Sequence, residues 1–379
     1  MSLSRPSSVA RASLTMLGTT IGAGVFAIPF AMKTLGGFAG SLIFWTIAAV
    51  ILSAHLLYGY VLLHDVGLHG RRFPGHVKHI LGSRAGYLSI FSYSFHILGA
   101  CAAYILLGGE FLMKLFAFAH LPLGSVGWET VYWLGGAISV YFGLRVIQRI
   151  DSAMATCLIF LLGVAIACFI TRADPTFFIT SHWSEMFAPL GILVFSLNAF
   201  AVIPEVVEIS GRGEDAYWAI GLGSVGAAVL IWAFGTLGAA AVGSALTADP
   251  GSIALAFPSM LWWLLPAVGF CSVSTSFITV TQDLASMIRF DLRQPKLFAL
   301  SVALVIPFVL ALTVRQNFSG IVSVVGGTFG SIDGMLIAVM ALVFLKKQRR
   351  KLPHPITYIA LACFAVFFVT FIWRILNLS

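Results

Sequence analysis

Charged residues are scarce in this sequence. Asp, Glu, Lys and Arg make up 9% of the 379 residues, whereas a soluble domain carries about 25%. Hydrophobic residues make up 59%, so a soluble fold is excluded. Short alternating strands, which an outer-membrane barrel needs, are also lacking, because the apolar runs are long and continuous. The composition therefore predicts an all-α polytopic membrane protein.

Motifs for catalysis and for metal binding are lacking as well. The sequence has no H-E-x-x-H, Walker or G-x-S-x-G motif. Its five cysteines lie inside apolar segments without metal-ligand spacing, which is typical of small core residues. His96 with Glu110 is the only pair that intramembrane catalysis could use. We therefore predict neither an enzyme nor a resident cofactor, and no obligate protein partner is indicated.

Apolar segments long enough to cross a bilayer, about 20 residues each, recur along the chain. The eleven predicted segments are Ala12–Thr34, Phe38–Leu63, Ala85–Ala117, Trp128–Ile147, Ile150–Thr171, Met186–Ile209, Tyr217–Leu246, Pro258–Ile288, Leu297–Val314, Phe318–Leu345 and Ile356–Leu376. The net charge of +8 sits in the short loops between them, where basic residues set topology. The partners that this pattern predicts are the lipid bilayer and a small molecule, with no nucleic acid.

Basic residues fall on alternate loops. With the N-terminus inside, the inner loops hold 17 of the 22 Lys and Arg residues, including the run from Lys346 to Lys351. This distribution predicts the inner (cytoplasmic) membrane, with a cytoplasmic N-terminus and an outside C-terminus. The outer loop Thr247–Ser259 is long enough for a small helical lid. The inner loop His64–Arg84 is predicted to be a solvated connector, with an amphipathic segment on the inner leaflet as the alternative.

The first apolar segment contains residues that a simple membrane anchor would avoid at its midpoint. Gly18, Gly22, Gly24 and Pro29 lie within twelve positions, and in a helix interior Gly costs about 1 kcal/mol and Pro about 3 kcal/mol relative to Ala. A helix broken here exposes N–H and C=O groups, which are tolerated at this depth only inside protein or along a cavity. The pattern predicts half of a binding site, with close helix packing by small residues as the alternative.

The sixth segment repeats part of this pattern. Its run Phe200-Ala201-Val202-Ile203-Pro204 is similar to the run that ends at Pro29, and the two prolines lie 175 positions apart. When about the same number of positions is added to segments two to five, they coincide with segments seven to ten. Five crossings per copy invert the second copy in the membrane. We predict one transporter domain, 1–379, with repeats at about 12–171 and 186–345 and an extra helix at about 356–376.

Two broken helices that face each other suit a zwitterion. The N-terminus of a half-helix favours a carboxylate, whereas unwound carbonyls favour an ammonium group or a small cation. A free amino acid is therefore the predicted substrate. Segment eight adds six hydroxyl residues between Ser272 and Thr281. Their oxygens suit sodium, and bonding back to the i−4 carbonyl is the alternative.

Ionisable side chains within membrane segments are costly, and this cost makes them functional candidates. Glu110 lies late in segment three, Glu205 follows Pro204, and Asp333 lies in the middle of segment ten, beside a glycine-rich run. We predict a role for these three in proton coupling or gating. His55 and His96 are predicted to be core histidines with hydrogen-bond partners.

Three stretches, Gly18 to Pro29, Ser196 to Pro204 and Ser274 to Thr281, resemble the amino acid–polyamine–organocation superfamily. Within it they resemble the hydroxy- and aromatic-amino-acid permeases of the tryptophan/tyrosine permease type, which are related to the amino acid/auxin permeases. The resemblance covers essentially the whole chain. It implies a LeuT-like five-plus-five inverted repeat with discontinuous helices 1 and 6, plus an eleventh transmembrane helix.

The resemblance also implies the sites. The substrate carboxylate would meet the backbone of residues 22 to 24, and its amine the carbonyls near residues 195 and 196. The implied substrate-binding residues are Thr20, Gly22, Ala23, Gly24, Phe195, Ser196, Asn198 and Phe200. The implied sodium ligands are Gly18, Ile21, Ser272, Thr275 and Ser276. The aromatic permeases often carry a histidine at the position of Phe200.

Together these patterns predict a secondary active transporter that imports a neutral amino acid, aromatic or hydroxylated, by alternating access. The coupling ion stays open at this point, because the hydroxyls of Thr275 and Ser276 favour sodium whereas the resemblance favours protons. An amino-acid-gated channel or a membrane sensor without coupled transport is the alternative. A channel would need a continuous polar stripe, and a sensor would need a soluble output domain.

Overall fold

A computed structural model describes residues 5–65, 70–142, 144–211, 213–257, 262–314, 318–347 and 354–377. Every regular element in these ranges is helical, as the composition predicts. Part of the basic run (348–351) and the last two residues of the predicted lid, Pro258 and Ser259, lie outside the described residues.

Fifteen α-helices make up most of the described chain. They are α1 Arg5–Thr20, α2 Ile28–Leu35, α3 Gly37–His64, α4 Phe73–Leu81, α5 Ser83–Leu115, α6 Ser125–Phe142, α7 Leu144–Ile170, α8 Leu190–Leu197, α9 Ile203–Ser210, α10 Glu214–Val242, α11 Leu264–Phe290, α12 Lys296–Thr313, α13 Phe318–Val324, α14 Ser331–Lys347 and α15 His354–Leu376. A π-helix, Val325–Gly330, joins α13 to α14.

The helices match the predicted membrane segments. Among the described residues, eight helical spans are long and apolar enough to cross a bilayer, and a pair bent by 48°, Ser8–Thr20 with Ala23–Leu35, makes a ninth. The fourth and fifth predicted segments correspond to α6 and α7, and the part of α7 from Met154 to Ile170 is apolar. Each of the eleven predicted segments therefore coincides with a helix or with a broken pair of helices.

Both predicted breaks are present, and the chain follows the same local pattern at each: an extended residue, and then a new helix with proline in its first turn. After α1 the chain turns extended at Gly22 (φ −95°, ψ −158°), forms the short 3-10 helix Ala23–Ala27, and restarts as α2 with Pro29 in its first turn. After α8 it turns extended at Asn198, and α9 restarts with Pro204 in its first turn. Proline suits a helix start because its missing N–H would have no intrahelical partner there.

Burial places the helices in the bundle. Of the residues in the most apolar stretch of α11, 83% are buried, whereas only 28% and 22% are buried in the corresponding stretches of α12 and α15. Helix α1 packs against α10, α9, α7 and α11. The broken helices and α11 therefore form the centre of the bundle, while α12 and α15 lie at its periphery.

The inner loop differs from the predicted solvated connector. Residues 73–81 form α4, which buries Phe73, His76 and Val77 against the bundle, and the Tyr58 hydroxyl lies 2.7 Å from His76 Nδ1. The prediction was wrong because the glycines and basic residues of this loop make its composition look polar, although the residues on one side of α4 are apolar and buried. The predicted lid is present in the outer loop as the 3-10 helix Pro250–Ala256.

Candidate substrate and ion site

The two helix breaks lie directly against each other. A Cβ atom at Gly24 would lie 2.7 Å from Ser196 Cα and 2.5 Å from Ser196 Oγ, closer than atoms can approach. Only glycine at position 24 therefore lets the backbone of the first break approach the end of α8 this closely. The sequence could suggest the breaks, but their contact is visible only in the structure.

The break in the first segment presents backbone donors. Ala23 and Gly24 are the first two residues of the 3-10 helix, and the first bond of that turn runs from the Val25 N–H to the Gly22 carbonyl over 3.2 Å. The N–H groups of Ala23 and Gly24 precede it, so they have no intrahelical acceptor. The Thr20 hydroxyl points elsewhere and donates to the Met16 carbonyl over 2.7 Å.

The break in the sixth segment presents backbone acceptors. The last bond of α8 runs from the Asn198 N–H to the Val194 carbonyl over 3.1 Å, so the carbonyls of Phe195, Ser196 and Leu197 lie beyond the helical ladder. The Ser196 hydroxyl donates back to the Ile192 carbonyl over 2.7 Å. Backbone donors of one break thus lie beside backbone acceptors of the other, an arrangement that matches a zwitterion.

Side chains fix the shape of the second break. The Asn198 carboxamide oxygen accepts from the Phe200 N–H over 2.9 Å. His55 Nε2 accepts from the Ala199 N–H over 3.2 Å, while its Nδ1 lies 3.0 Å from the Ser224 hydroxyl. His55 therefore has partners, as predicted, but its role is specific, since it supplies the acceptor for an N–H group that the break leaves free.

Replacement of His55 by leucine is expected to destabilise the protein. It leaves the buried Ala199 N–H without its acceptor, and an unsatisfied buried donor costs about 1–3 kcal/mol. Thermal unfolding of the detergent-solubilised protein should begin at a temperature several degrees lower. His120→Asn is the control, because His120 is exposed and has the left-handed backbone (φ 46°) that asparagine accepts. Equal unfolding temperatures for His55→Leu and the wild type would contradict this role.

Phe200 lies on the far side of the second break. Its ring is 2% exposed and packs edge-on against His55, at 5.2 Å between centroids, and against Phe367 of α15, at 6.4 Å. Phe26 of the first break packs against Phe111 and Phe234, at 5.0 Å and 5.9 Å. Aromatic rings therefore line both breaks, and the ring of Phe200 supports α8 and α9 from behind.

Tyr104 on α5 lies beside the first break, although no motif in the sequence indicates this. A Cβ atom at Gly22 would lie 3.0 Å from the Tyr104 hydroxyl and 2.9 Å from the Ser276 hydroxyl. The side chain is buried and lies in an unbroken helix without a motif. Two hydroxyls therefore flank the extended backbone at Gly22, where the predicted carboxylate would lie.

Hydroxyls of α11 reach the carbonyls of α1. The three bonds run from Ser272 to Ile21, from Thr275 to Gly18 and from Ser276 to Thr19, over 2.8, 3.3 and 3.1 Å. Thr275 Oγ1 also lies 3.0 Å from the Ser272 carbonyl. Four residues of the predicted sodium set, Gly18, Ile21, Ser272 and Thr275, are therefore joined through their oxygens between the end of α1 and α11. The fifth, Ser276, bonds to Thr19 beside them. Neutral oxygens of this kind are suitable ligands for a hard cation.

The ionisable candidates are dispersed. Glu110 bonds to Lys114 one turn further along α5, at the outer side of the bundle. His96 Nδ1 lies 2.9 Å from Asp333 Oδ2 in the interior. The pairing of His96 with Glu110 that the sequence allowed is thus wrong, since each has another partner. Glu205 lines a cavity together with Arg72 and Asp283.

A cavity of about 200 Å³ opens at the end of the bundle where α4 lies, which the loop charges predict to be the inner end. Its polar lining residues are Arg72, Glu205, Glu208, Thr279, Gln282 and Asp283. Arg72 forms an ion pair with Asp283 at 3.5 Å, and the Tyr93 hydroxyl donates to the same carboxylate. These contacts join the start of α4 to α5 and α11 across the inner end.

Asp291, just after α11, caps the start of α4. Its carboxylate accepts from the Arg72 N–H over 3.2 Å and the Gly75 N–H over 2.9 Å. Burial raises the pKa of this carboxyl to about 6, although the two backbone donors favour its ionised form. The inner loop is thereby tied to the end of α11 at two neighbouring points, Asp283 and Asp291.

A cavity of about 460 Å³ opens at the opposite end of the bundle, which the loop charges predict to be the outer side. It lies between α5, α6, the lid and the start of α13, and its lining includes Glu110, Ser125, Asp249, Pro250 and Phe318. The lid thus covers part of an outer vestibule. Lys33 of α2 bonds to carbonyls of the loop that precedes the lid, over 2.8 Å and 2.6 Å.

Comparisons with known proteins identify the family and the fold. The profile of the tryptophan/tyrosine permease family matches residues 5–379. A tryptophan-specific transport protein of Pseudomonas aeruginosa is 25% identical over 253 residues, which span 62% of this chain and 58% of that protein. The crystal structure of MhsT in complex with L-phenylalanine superposes with a TM-score of 0.74 and 14% identity, covering 97% of each chain. This similarity confirms the LeuT-like fold.

Proposed function

Because this chain belongs to the tryptophan/tyrosine permease family, we propose that it imports a neutral aromatic amino acid across the cytoplasmic membrane by cation symport. Its relative is described as tryptophan-specific and the solved MhsT structure contains L-phenylalanine, so aromatic side chains are the first to test. The N-terminus lies in the cytoplasm and the C-terminus outside, in accord with the loop charges.

The observation that carries the proposal is the contact between Gly24 and Ser196. It brings the free N–H groups of one half-helix beside the free carbonyls of another, in a buried site. The carboxylate of the substrate binds at residues 22 to 24 and its ammonium group at the carbonyls of residues 195 and 196. Phe26, Phe195 and their aromatic neighbours surround its side chain.

Alternating access follows from the two vestibules. The outer cavity beneath the lid and the inner cavity at Arg72 and Asp283 lie at opposite ends of the bundle. The ion pair between Arg72 and Asp283 closes the inner end, and it breaks when the substrate leaves toward the cytoplasm. Sodium binds between α1 and α11 at Gly18, Ile21, Ser272, Thr275 and Ser276, and so links ion binding to the position of the first break.

Uptake of radiolabelled L-tryptophan into proteoliposomes, with unlabelled analogues as competitors, tests the proposal. L-phenylalanine and L-tyrosine should compete. Tryptamine lacks the carboxylate and indole-3-propionate lacks the amine, so neither should compete, because each leaves one break without its partner. Competition by both analogues would contradict recognition of the zwitterion by the two breaks. Absence of uptake of any amino acid would contradict the proposed transport.

Tyr104→Phe is expected to weaken substrate binding by roughly ten- to hundredfold. The hydroxyl beside Gly22 would donate to the carboxylate, and a hydrogen bond to a charged group contributes about 1.5–3 kcal/mol. Competition binding of L-tryptophan measures the loss. Tyr141→Phe is the control, since Tyr141 is exposed near the end of α6. An affinity for Tyr104→Phe equal to that of the wild type would exclude this hydroxyl from the site.

A further inference from the structure

A buried histidine–aspartate pair lies behind the second break. His96 of α5 and Asp333 of α14 each lie near the middle of a membrane-spanning segment, with His96 Nδ1 at 2.9 Å from Asp333 Oδ2. Asp333 is completely buried. A carboxylate at this depth is costly and is kept by proteins chiefly where it serves ion or proton movement.

The pair is incompletely satisfied. Among the described residues none donates to the buried Asp333 Oδ1. The Ser92 hydroxyl lies close enough to bond to this carboxyl, yet it donates to the Phe329 carbonyl over 3.0 Å. A carboxyl with one free buried oxygen can take up a proton without losing any of its present bonds.

The neighbouring elements bring few other titratable groups to this region, and most of these have partners of their own. The groups on the packed helices α3, α5 and α15 include His55 (bonded to Ala199 N–H and near Ser224), Tyr58 (near His76), Tyr93 (bonded to Asp283) and Arg374 (beside Gly327). Helix α4, which also packs against α14, carries Lys78 and His79 at exposed positions. Arg374 is a fixed charge, and Gly327 precedes Asp333 by six positions. His96 is therefore the direct partner that responds to the charge of Asp333.

The pair is also connected to the substrate site. A Cβ atom at Gly330 would contact both His96 Cε1, at 3.4 Å, and Asn198 Nδ2, at 3.5 Å. Asn198 shapes the second break through its bond to Phe200 N–H. Its buried Nδ2 has no acceptor in the described part of the chain. The Asn198 amide, which lacks an acceptor, and the His96–Asp333 pair, in which Asp333 Oδ1 lacks a donor, thus lie on either side of Gly330.

The backbone between them contains a π-helix. Asp333 follows the π-helix Val325–Gly330, a geometry that recurs at functional sites. This π-helix lies directly on α8, since a Cβ atom at Gly326 would be 2.1 Å from the Gly191 carbonyl oxygen and 2.7 Å from Phe195 N. Movement of α8 during transport therefore changes the surroundings of Asp333.

From these contacts we infer that the His96–Asp333 pair is a proton-binding site, and that the position of the second break controls its protonation. The inference rests on the proposed transport. The unprotonated pair, a carboxylate beside a neutral imidazole, carries one negative charge. One proton from the outside water makes the pair neutral, and its release to the cytoplasm restores the negative charge. Each transport cycle thus carries one proton inward with the amino acid, in addition to any sodium.

Proteoliposomes containing the pH dye pyranine test this inference. An inward proton gradient should drive accumulation of radiolabelled L-tryptophan by the wild type and acidify the lumen when L-tryptophan is added. Asp333→Asn should lose at least tenfold of this gradient-driven accumulation and the pyranine signal. It should retain tryptophan exchange between the two sides, which needs no net proton movement. Retained exchange also shows that the variant is folded.

Two further variants complete the test. His96→Gln keeps a donor for Asp333 but removes the imidazole that shares the proton of the pair, so gradient-driven accumulation should also fall at least tenfold; it decides the question if Asp333→Asn does not fold. Asp174→Asn, an exposed loop carboxylate, should behave as the wild type. Proton-driven accumulation that survives in Asp333→Asn and His96→Gln would overturn the inference, as would wild-type exchange without any proton coupling. Absence of all tryptophan exchange in the wild type would contradict the proposed transport itself.

Discussion

Gly24→Ala is expected to weaken substrate binding by roughly ten- to hundredfold. The added methyl group would lie 2.7 Å from Ser196 Cα, and a backbone atom cannot rotate away as a side chain can. The two breaks must therefore separate, and overpacking of this kind costs about 1–3 kcal/mol. Separation also moves the N–H groups of the first break away from the carbonyls of the second. Equilibrium binding of radiolabelled L-tryptophan measures the loss.

Gly221→Ala is the matched control for this substitution. Gly221 lies inside α10, and a Cβ atom there would meet nothing within 4 Å. Alanine at this position should leave binding unchanged and should stabilise the helix by about 0.5–1 kcal/mol. If Gly24→Ala bound L-tryptophan as tightly as Gly221→Ala does, the contact between the breaks would not be part of the substrate site.

The double substitution Thr275→Ala with Ser276→Ala is expected to abolish any stimulation of binding by sodium. These hydroxyls bond to the Gly18 and Thr19 carbonyls, and removal of both takes away two of the oxygens that would surround the ion. L-tryptophan binding measured in sodium and in potassium chloride should then be the same. The expected change is from sodium-dependent binding to binding that does not distinguish the two salts.

Thr370→Ala provides the control. Thr370 is buried in α15 and its hydroxyl donates only along its own helix, to the Val366 carbonyl over 2.9 Å. This variant should keep the sodium response of the wild type. A sodium response that survives the double substitution would remove the ion from this site, and a wild type without any sodium response would leave protons as the coupling ion.

The sequence predicts the membrane helices and both breaks well, because local composition determines them. Long apolar runs have few alternatives to a membrane helix. The glycines before Pro29 and the polar residues before Pro204 disfavour a continuous helix whatever the surrounding structure is. The same reasoning failed at α4, where basic residues and glycines conceal the stripe formed by Phe73, His76 and Val77.

The assembly of the site depends on contacts between distant segments, which the sequence does not reveal. Tyr104 lies in a regular helix without a motif, and only the approach of α5 to Gly22 makes it a candidate. The role of His55 likewise depends on the N–H of Ala199, 144 positions away, to which it supplies the acceptor. The hydroxyl-rich stretch of α11 was more informative. It contains more Ser and Thr residues than hydrogen bonds to carbonyls of the same helix would explain, and so it indicated contacts with another segment.

Direct binding of radiolabelled L-amino acids to the purified protein, with and without sodium and across pH, tests the proposed site most directly. We predict saturable binding of L-tryptophan that unlabelled L-phenylalanine displaces, and loss of this binding in Gly24→Ala but not in Gly221→Ala. Absence of binding of any amino acid by the folded wild type, in every salt and at every pH, would contradict the assignment of the two helix breaks as an amino-acid site.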